Sequence, residues 1–176
     1  MNSKKIIFIT GGARSGKSSF AMAAASKING IKAYIATAEA LDEEMKERIE
    51  KHKSQRGDDW VTYEEPIKIS DVLRTIEEKY CAVVIDCLTL WLSNVMLAGL
   101  NIEAQIEHLL SSLVTCPSSL VYVVSNEVGM GIVPENEMAR RFRDMAGIVN
   151  QKMAEISDEV FIVVAGIPIK IMDKRA

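Results

Sequence analysis

Eight residues near the amino end, Gly11-Gly12-Ala13-Arg14-Ser15-Gly16-Lys17-Ser18, follow a short apolar run, Ile6-Ile7-Phe8-Ile9, and open a helix-compatible segment from Lys17 to Ile28. That order constrains the fold more than any other feature of the chain. A β-rich run, a glycine turn and a helix start make one strand–loop–helix unit, the unit from which parallel sheets are built. Gly11 and Gly16 allow a tight turn in which successive N–H groups face one point, and the following helix aims its N-terminus there. Lys17 adds a compact positive charge and Ser18 a hydroxyl. Backbone donors, a helix N-terminus and an ammonium suit phosphate oxygens, and the hydroxyl after the lysine suits Mg²⁺. The loop from Gly11 to Ser18 is therefore expected to bind a nucleoside triphosphate, with Lys17 on its outer phosphates.

The remaining pattern alternates strands and helices. Ala33–Thr37 and Trp60–Glu64, the latter closed by Pro66, have strand composition. Ala82-Val83-Val84-Ile85 and Leu120–Val124 have the unbroken apolar character of strands buried on both faces. Val160–Val164 and Ile167–Ile171 flank Ala165-Gly166 and suggest a closing hairpin. Helices are expected from Leu41 to about Lys53 with Asp42 near the start, from a Ser70-Asp71 cap to about Lys79, and over Leu88–Ala98, Ile102–Val114 and Glu135–Ile156. The expected architecture is α/β: one domain over residues 1–176, a mainly parallel sheet flanked by helices, and an antiparallel C-terminal hairpin. Ligands of such sheets bind at the carboxyl ends of the strands.

Composition removes several function classes. No apolar run is long enough to span a bilayer, and the amino end lacks the pattern of a secretory signal, so a cytoplasmic protein without membrane insertion is expected. Three cysteines without CxxC spacing suit free thiols in a reducing compartment. A net charge of −3 without a basic run argues against nucleic acid as partner.

Asp86 ends the Ala82–Ile85 strand, where a second acidic oxygen would join Ser18 at Mg²⁺. Its competing role is that of an ordinary strand-end turn residue. The sequence after it, Cys87-Leu88-Thr89, is not the Asp-x-x-Gly of a Ras-like switch, and Asn-Lys-x-Asp for guanine is also missing. A small-molecule transferase fits better. Of the two histidines, His108 lies in a polar-apolar stretch expected at the surface. Arg48, His52 and Arg56 recur every four residues and would share one helical face. Such a stripe could receive a triphosphate, and two guanidiniums would favour a neutral, nucleophilic imidazole. A solvated charged face has the same spacing, and spacing alone does not establish catalysis.

Four segments in order carry a resemblance: Gly11–Ser18; Tyr34-Ile35-Ala36-Thr37-Ala38; Arg48-Ile49 with His52 and Arg56; and Asn126-Glu127-Val128-Gly129-Met130-Gly131-Ile132-Val133-Pro134-Glu135-Asn136, continuing through Arg143-Asp144 and Gly147 to Asn150-Gln151. From Thr10 to about Lys170 the chain resembles the bifunctional adenosylcobinamide kinase / adenosylcobinamide-phosphate guanylyltransferase family. The resemblance implies phosphorylation of adenosylcobinamide by ATP or GTP, then transfer of GMP from GTP to that phosphate with release of pyrophosphate. It implies a covalent His52–GMP intermediate, and a GTP site that also draws on Ala36, Thr37, Ala38, Lys53, Ser54, Gln55, Arg56, Glu64 and Asp86. It further implies a homotrimer, for which Trp91 and Leu92 could be interface or core. Glu64 beside Glu65 could equally be a charged turn before Pro66. The Asn126–Asn136 segment leaves a strand end and enters the helix carrying Arg140, Arg141 and Arg143; it could cover a bulky corrinoid or the transferred phosphate, or be a packing turn with a structural helix behind it. Outside that family, a P-loop kinase of another small metabolite and a GTP-dependent switch remain open.

Overall fold

The computed structural model describes residues 4–39, 43, 47, 53 and 56–174. Its strands are β1 (Lys5–Gly11), β2 (Ile31–Ala36), β3 (Trp60–Glu64), β4 (Tyr80–Asp86), β5 (Leu120–Val124), β6 (Glu159–Val164) and β7 (Ile167–Asp173). The helices are α1 (Lys17–Ser26), α2 (Ile69–Thr75), α3 (Leu88–Leu97), α4 (Ile102–Thr115) and α5 (Glu137–Ile156). The strands form one sheet in the order β3-β2-β4-β5-β1-β6-β7, parallel throughout except for the β6–β7 hairpin.

Period-two alternation divides the core into two layers. Ile7, Ile9, Tyr34, Ala82, Val84, Tyr122 and Val124 face α1, which contributes Ala21, Met22 and Ala25. Ile6, Phe8, Ala33, Ile35, Val83, Ile85, Val121 and Val123 face the side covered by α2 to α5. Strands with helices on both faces cannot afford a polar residue on either, hence the continuous apolar run from Ala82 to Ile85. Trp91 and Leu92 are completely buried in the second layer, so of their two possible roles they take that of core.

The hairpin forms where expected. Ala165 (φ 50°) and Gly166 (φ 80°) both occupy the left-handed region, as a two-residue turn matched to strand twist requires. At the other end of these strands Glu159 is buried and accepts from Lys5 Nζ and Lys170 Nζ, each at 2.8 Å. Burial alone would raise the Glu159 carboxyl, but the two ammonium groups hold it below the usual carboxylate range.

Helix ends differ from the sequence expectation for local reasons. The α2 helix starts at Ile69, so Ser70 and Asp71 sit within its first turn; the amides just before it, Ile67 N–H and Lys68 N–H, donate to Glu65 Oε1 instead. It ends at Thr75 because Ile76 turns extended (ψ 129°) and drops its side chain into the core. The α5 helix begins two residues late because Asn136, whose Oδ1 accepts from Ala139 N–H at 3.2 Å, is its cap. Of the helix expected between β2 and β3, Glu43, Glu47 and Lys53 are helical; Asp42 lies outside the described residues. Among the described residues no helix is long and apolar enough to cross a membrane, and the three cysteines are free.

Candidate active site

The turn after β1 is built by backbone. Gly11 has φ 148°, and a Cβ there would stand 2.4 Å from the carbonyl oxygen of Val163 on β6. Gly16 has φ 98° and packs against Gly166 of the hairpin turn, whose N–H donates to Ser15 O at 2.9 Å. Only glycine satisfies both the dihedral and the clearance at Gly11. Gly12, Ala13 and Arg14 are exposed at the tip, Arg14 with φ 55°. Lys17 opens α1, is buried, and donates to Gly12 O at 2.6 Å, so its ammonium lies inside the curl of the loop. Ser18 follows, half-buried on the same turn.

The sheet order places β5 between β1 and β4, so Asp86 stands two strands from Gly11. It follows Ala82 and Val84 by even steps and so projects to the α1 face of the sheet. Asp86 Oδ2 accepts from the hydroxyl of Tyr34 at 2.7 Å. Burial, and then the Asp86 charge, push the Tyr34 hydroxyl well above its ordinary range, so it remains a neutral donor. The guanidinium of Arg56 lies 4.1 Å from the centroid of the Tyr34 ring, and Trp60 meets that ring edge-on at 6.2 Å. Sequence reading had placed Arg56 on a nucleotide site but missed Tyr34 as its platform, which only the pairing of β2 with β4 reveals.

Ala36 is in register with Asp86 on one side and Glu64 on the other, so these three candidates line up along the carboxyl edge. Thr37 is buried; its hydroxyl oxygen accepts from Cys87 N–H at 2.7 Å, and its N–H donates to Asp86 O at 3.1 Å. Its side chain therefore ties β2 to the turn after Asp86, with half-buried Ala38 beyond it. Glu64 is exposed and ion-paired with Lys53, whereas Glu65 caps the next turn. Glu64 and β1 are separated by three strands, roughly 19 Å at about 4.8 Å per strand spacing.

Between these regions, β5 delivers Asn126 and Glu127. Asn126 Nδ2 donates to Thr89 Oγ1 at 2.6 Å, and Asn150 Nδ2 of α5 donates to Asn126 O at 3.1 Å. Glu127 N–H donates to Gly11 O at 2.9 Å, fastening this segment to the phosphate loop. Beyond it Met130, Ile132, Val133 and Met138 are exposed, Ile132 almost entirely (98%). Arg140 turns back on this segment and donates to Pro134 O at 3.0 Å; Arg143 pairs with Asp144, and Arg141 is exposed. Among the described residues, the buried side-chain atoms without a hydrogen-bond partner are Thr10 Oγ1, Arg56 Nη1, Ser125 Oγ and Asn150 Oδ1. Thr10 and Ser125 lie toward the ends of β1 and β5 with the parity of the face covered by α5, Asn150 is on that helix, and Arg56 lies over Tyr34 on the α1 face. Arg48, His52, Ser54 and Gln55 lie outside the described residues.

The Ser18 hydroxyl and the second oxygen of Asp86 are hard donors of the kind Mg²⁺ takes, and one helix turn and one strand end on the same face carry them. Phosphate oxygens and water would complete such a shell, so the absence of a cluster of three or more His, Cys, Asp or Glu among the described residues is compatible with it.

Comparison with solved structures agrees with this architecture. The fold is similar to that of the RadB recombinase (TM-score 0.53, 13% identity, 90% of this chain and 73% of that one). It is also similar to an ATPase of a bacterial type III secretion system (TM-score 0.56, 11% identity, 90% and 50%). At such identities the likeness shows a P-loop NTPase fold and nothing finer. Sequence comparison goes further. The bifunctional adenosylcobalamin biosynthesis protein CobP of Pseudomonas aeruginosa is 42% identical over 162 residues, 91% of this chain and 93% of that protein. Its counterpart CobU of Salmonella typhimurium is 40% identical over 181 residues, 94% and 99%. The model of the family described as cobinamide kinase / cobinamide phosphate guanyltransferase matches residues 7–171, and the chain belongs to that family of bifunctional cobalamin-biosynthesis enzymes.

Proposed function

We propose that this enzyme phosphorylates the terminal hydroxyl of adenosylcobinamide with a nucleoside triphosphate, and then carries GMP from GTP to the new phosphate on His52. The observation that supports this most is the set formed by the Lys17 loop, Asp86, the Tyr34 that donates to it, and Arg56 over the Tyr34 ring. It has an anion grip at one end and, at the other, a guanidinium with a buried nitrogen that has no partner among the described residues. In the second transfer an imidazole nitrogen of His52 attacks the α-phosphorus of GTP; a P–N bond forms, the bond to the β-phosphate oxygen breaks, and pyrophosphate leaves. A phosphate oxygen of adenosylcobinamide phosphate then attacks the same phosphorus, the P–N bond breaks, and adenosylcobinamide-GDP departs with free imidazole restored. Lys17 and the loop N–H groups would balance the leaving charge. Mg²⁺ held by Ser18 and Asp86 would supply further charge neutralisation when bound.

Ala36, Thr37, Ala38, Lys53, Ser54, Gln55, Arg56 and Glu64 extend the nucleotide site in this reading. The exposed apolar residues of the segment after Glu127 suit contact with a large corrinoid acceptor. A homotrimer is part of the same proposal, and the exposed Ile167, Ile169 and Ile171 on edge strand β7 support association of copies. The test uses GTP labelled at the α-phosphate. Acid-labile, base-stable label is expected on the wild-type protein and none on His52→Ala. Wild-type protein that transfers GMP without ever retaining label overturns the covalent route. One that phosphorylates adenosylcobinamide and goes no further is a kinase alone, and one that only hydrolyses GTP is a switch.

A further inference from the structure

The two transfers differ in what their acceptors need. An alcohol must lose its proton as it attacks phosphorus, whereas a phosphate monoester already attacks through an anionic oxygen. A base is therefore useful to the kinase step and idle in the guanylyl step.

The described carboxylates at this end of the sheet are largely committed elsewhere. Asp86 accepts from Tyr34 and is placed with Ser18 for Mg²⁺. Glu64 is paired with Lys53 at the far edge, and Glu65 holds the amides before α2. Glu127 differs. It leaves β5, the strand lying between the phosphate-loop strand and the Asp86 strand. Its N–H is bonded to Gly11 O at 2.9 Å, which fixes it beside the first glycine of the loop. The residue is half-buried, and Oε1 accepts from Gly129 N–H at 2.6 Å. That bond orients the carboxylate, and Oε2 has no partner among the described residues.

We propose that Glu127 is the general base of the kinase step, an inference that rests on the two-transfer reading above. The hydroxyl proton passes to a carboxylate oxygen of Glu127 as the oxygen–γ-phosphorus bond forms. The bond from the γ-phosphorus to the β-phosphate oxygen breaks, the nucleoside diphosphate leaves with its charge on Lys17 and the loop amides, and Glu127 then gives the proton to solvent. The exposed Met130, Ile132 and Val133 follow Glu127 within six positions and offer apolar surface to a bulky acceptor.

The side chain also has a structural contact, since Oε1 caps the segment at Gly129. The substitution that separates the roles is Glu127→Gln: glutamine keeps a carbonyl oxygen for Gly129 N–H but cannot take the proton. Both half-reactions are measured separately on the full chain, one with adenosylcobinamide and triphosphate, the other with adenosylcobinamide phosphate and GTP. Glu127→Gln is expected to lower kinase kcat by about 10²-fold or more. The ratio of kinase to guanylyl transfer falls by a similar factor, Glu127→Asp recovers part of the loss, and the unfolding midpoint holds. Kinase kcat within about threefold of wild type in Glu127→Gln overturns the assignment. So does an equal fall of both half-reactions in Glu127→Gln and Glu127→Asp, which makes Glu127 a cap. A wild-type protein with no kinase activity sinks the two-transfer reading itself, and the wild type alone reveals that outcome.

Discussion

The two ends of the candidate site are built in different styles. Around β1 the grip is backbone: Gly11 lies against Val163, Gly16 against Gly166, and the N–H groups between them have their directions set by dihedrals. Around β2 and β4 it is side chain: Arg56 on the Tyr34 ring, Tyr34 on Asp86, Lys53 on Glu64. A backbone site tolerates no added atom where strands close in, but is indifferent at its exposed tip. A side-chain site is graded, because each member contributes according to its burial. The contrast predicts that substitutions at the β1 end act all-or-none, and that those toward β3 diminish with exposure.

The largest effect is expected at Gly11. A Cβ there meets Val163 O at 2.4 Å and Val163 N at 3.2 Å, both backbone atoms, at a φ that L side chains avoid. Gly11→Ala should cost on the order of 3 kcal/mol or more in urea unfolding, strain and overpacking together. Gly12→Ala, where nothing lies within 4 Å, should stay near wild type in the same measurement. Equal stability of the two variants would break the claim that the loop is set by packing against β6.

Arg56 comes next. Its guanidinium carbon lies 4.1 Å from the Tyr34 ring centroid, and Nη1 is buried with no hydrogen-bond partner among the described residues. Arg56→Ala should weaken triphosphate binding about tenfold or more, corresponding to ~1–2 kcal/mol of stacking and ion contact. Arg56→Lys should recover little, since an ammonium keeps the charge but loses the planar stack. Calorimetric titration with GTP reads both. Full recovery by lysine would mean that charge alone matters and the Tyr34 platform does not.

Tyr34→Phe tests that platform from beneath. The ring remains for Arg56 and the hydrogen bond to Asp86 is lost. A stability loss of about 1–2 kcal/mol is expected, the cost of a half-buried carboxylate without its donor. Because burial and Asp86 keep the Tyr34 hydroxyl protonated far above neutrality, the difference between Tyr34→Phe and wild type should not change between pH 6 and 9. A difference that vanished as pH rose through this range would show the hydroxyl ionising, and would overturn the picture of a neutral donor.

The same contrast explains what could be read from the chain alone. Gly11–Ser18 was legible because a backbone site must be written in consecutive residues, with strand before and helix after. Strand sites were legible because apolar runs such as Ala82–Ile85 have no alternative in a two-sided sheet. Tyr34, Thr89, Asn94 and Asn150 were not picked out as site residues. Their roles depend on which strand or helix end lies beside which, as in Asn94 Nδ2 donating to Thr37 O at 3.0 Å across 57 positions. The resemblance pointed to the segment around Asn126 and Glu127, but the strand order that puts it between the loop and Asp86 is a tertiary fact. Caps failed in the same way: Ser70 and Asp71 looked suitable, yet the helix starts at Ile69, before both, and no side chain caps it.

The smallest effect is expected at the far edge. The Lys53–Glu64 pair is about half exposed on both sides, with side-chain exposures of 46% and 58%. Water and salt screen such a pair, and holding two mobile side chains together offsets much of the attraction. Glu64→Gln should therefore change stability by no more than about 0.5 kcal/mol. Glu159→Gln, which leaves Lys5 and Lys170 facing a buried amide, should cost clearly more. The pH dependence separates them too. The folded Glu159 carboxyl is lowered, so its contribution is present above the unfolded carboxylate pKa and lost as pH falls through the folded value. Acid unfolding of Glu159→Gln should lack that component, and Glu64→Gln should keep it. If Glu64→Gln raises KM for GTP while leaving stability alone, Glu64 acts on nucleotide and its pairing with Lys53 is incidental. If instead it destabilises the fold by more than about 1 kcal/mol, the edge is no surface pair and the gradation from β1 to β3 is wrong.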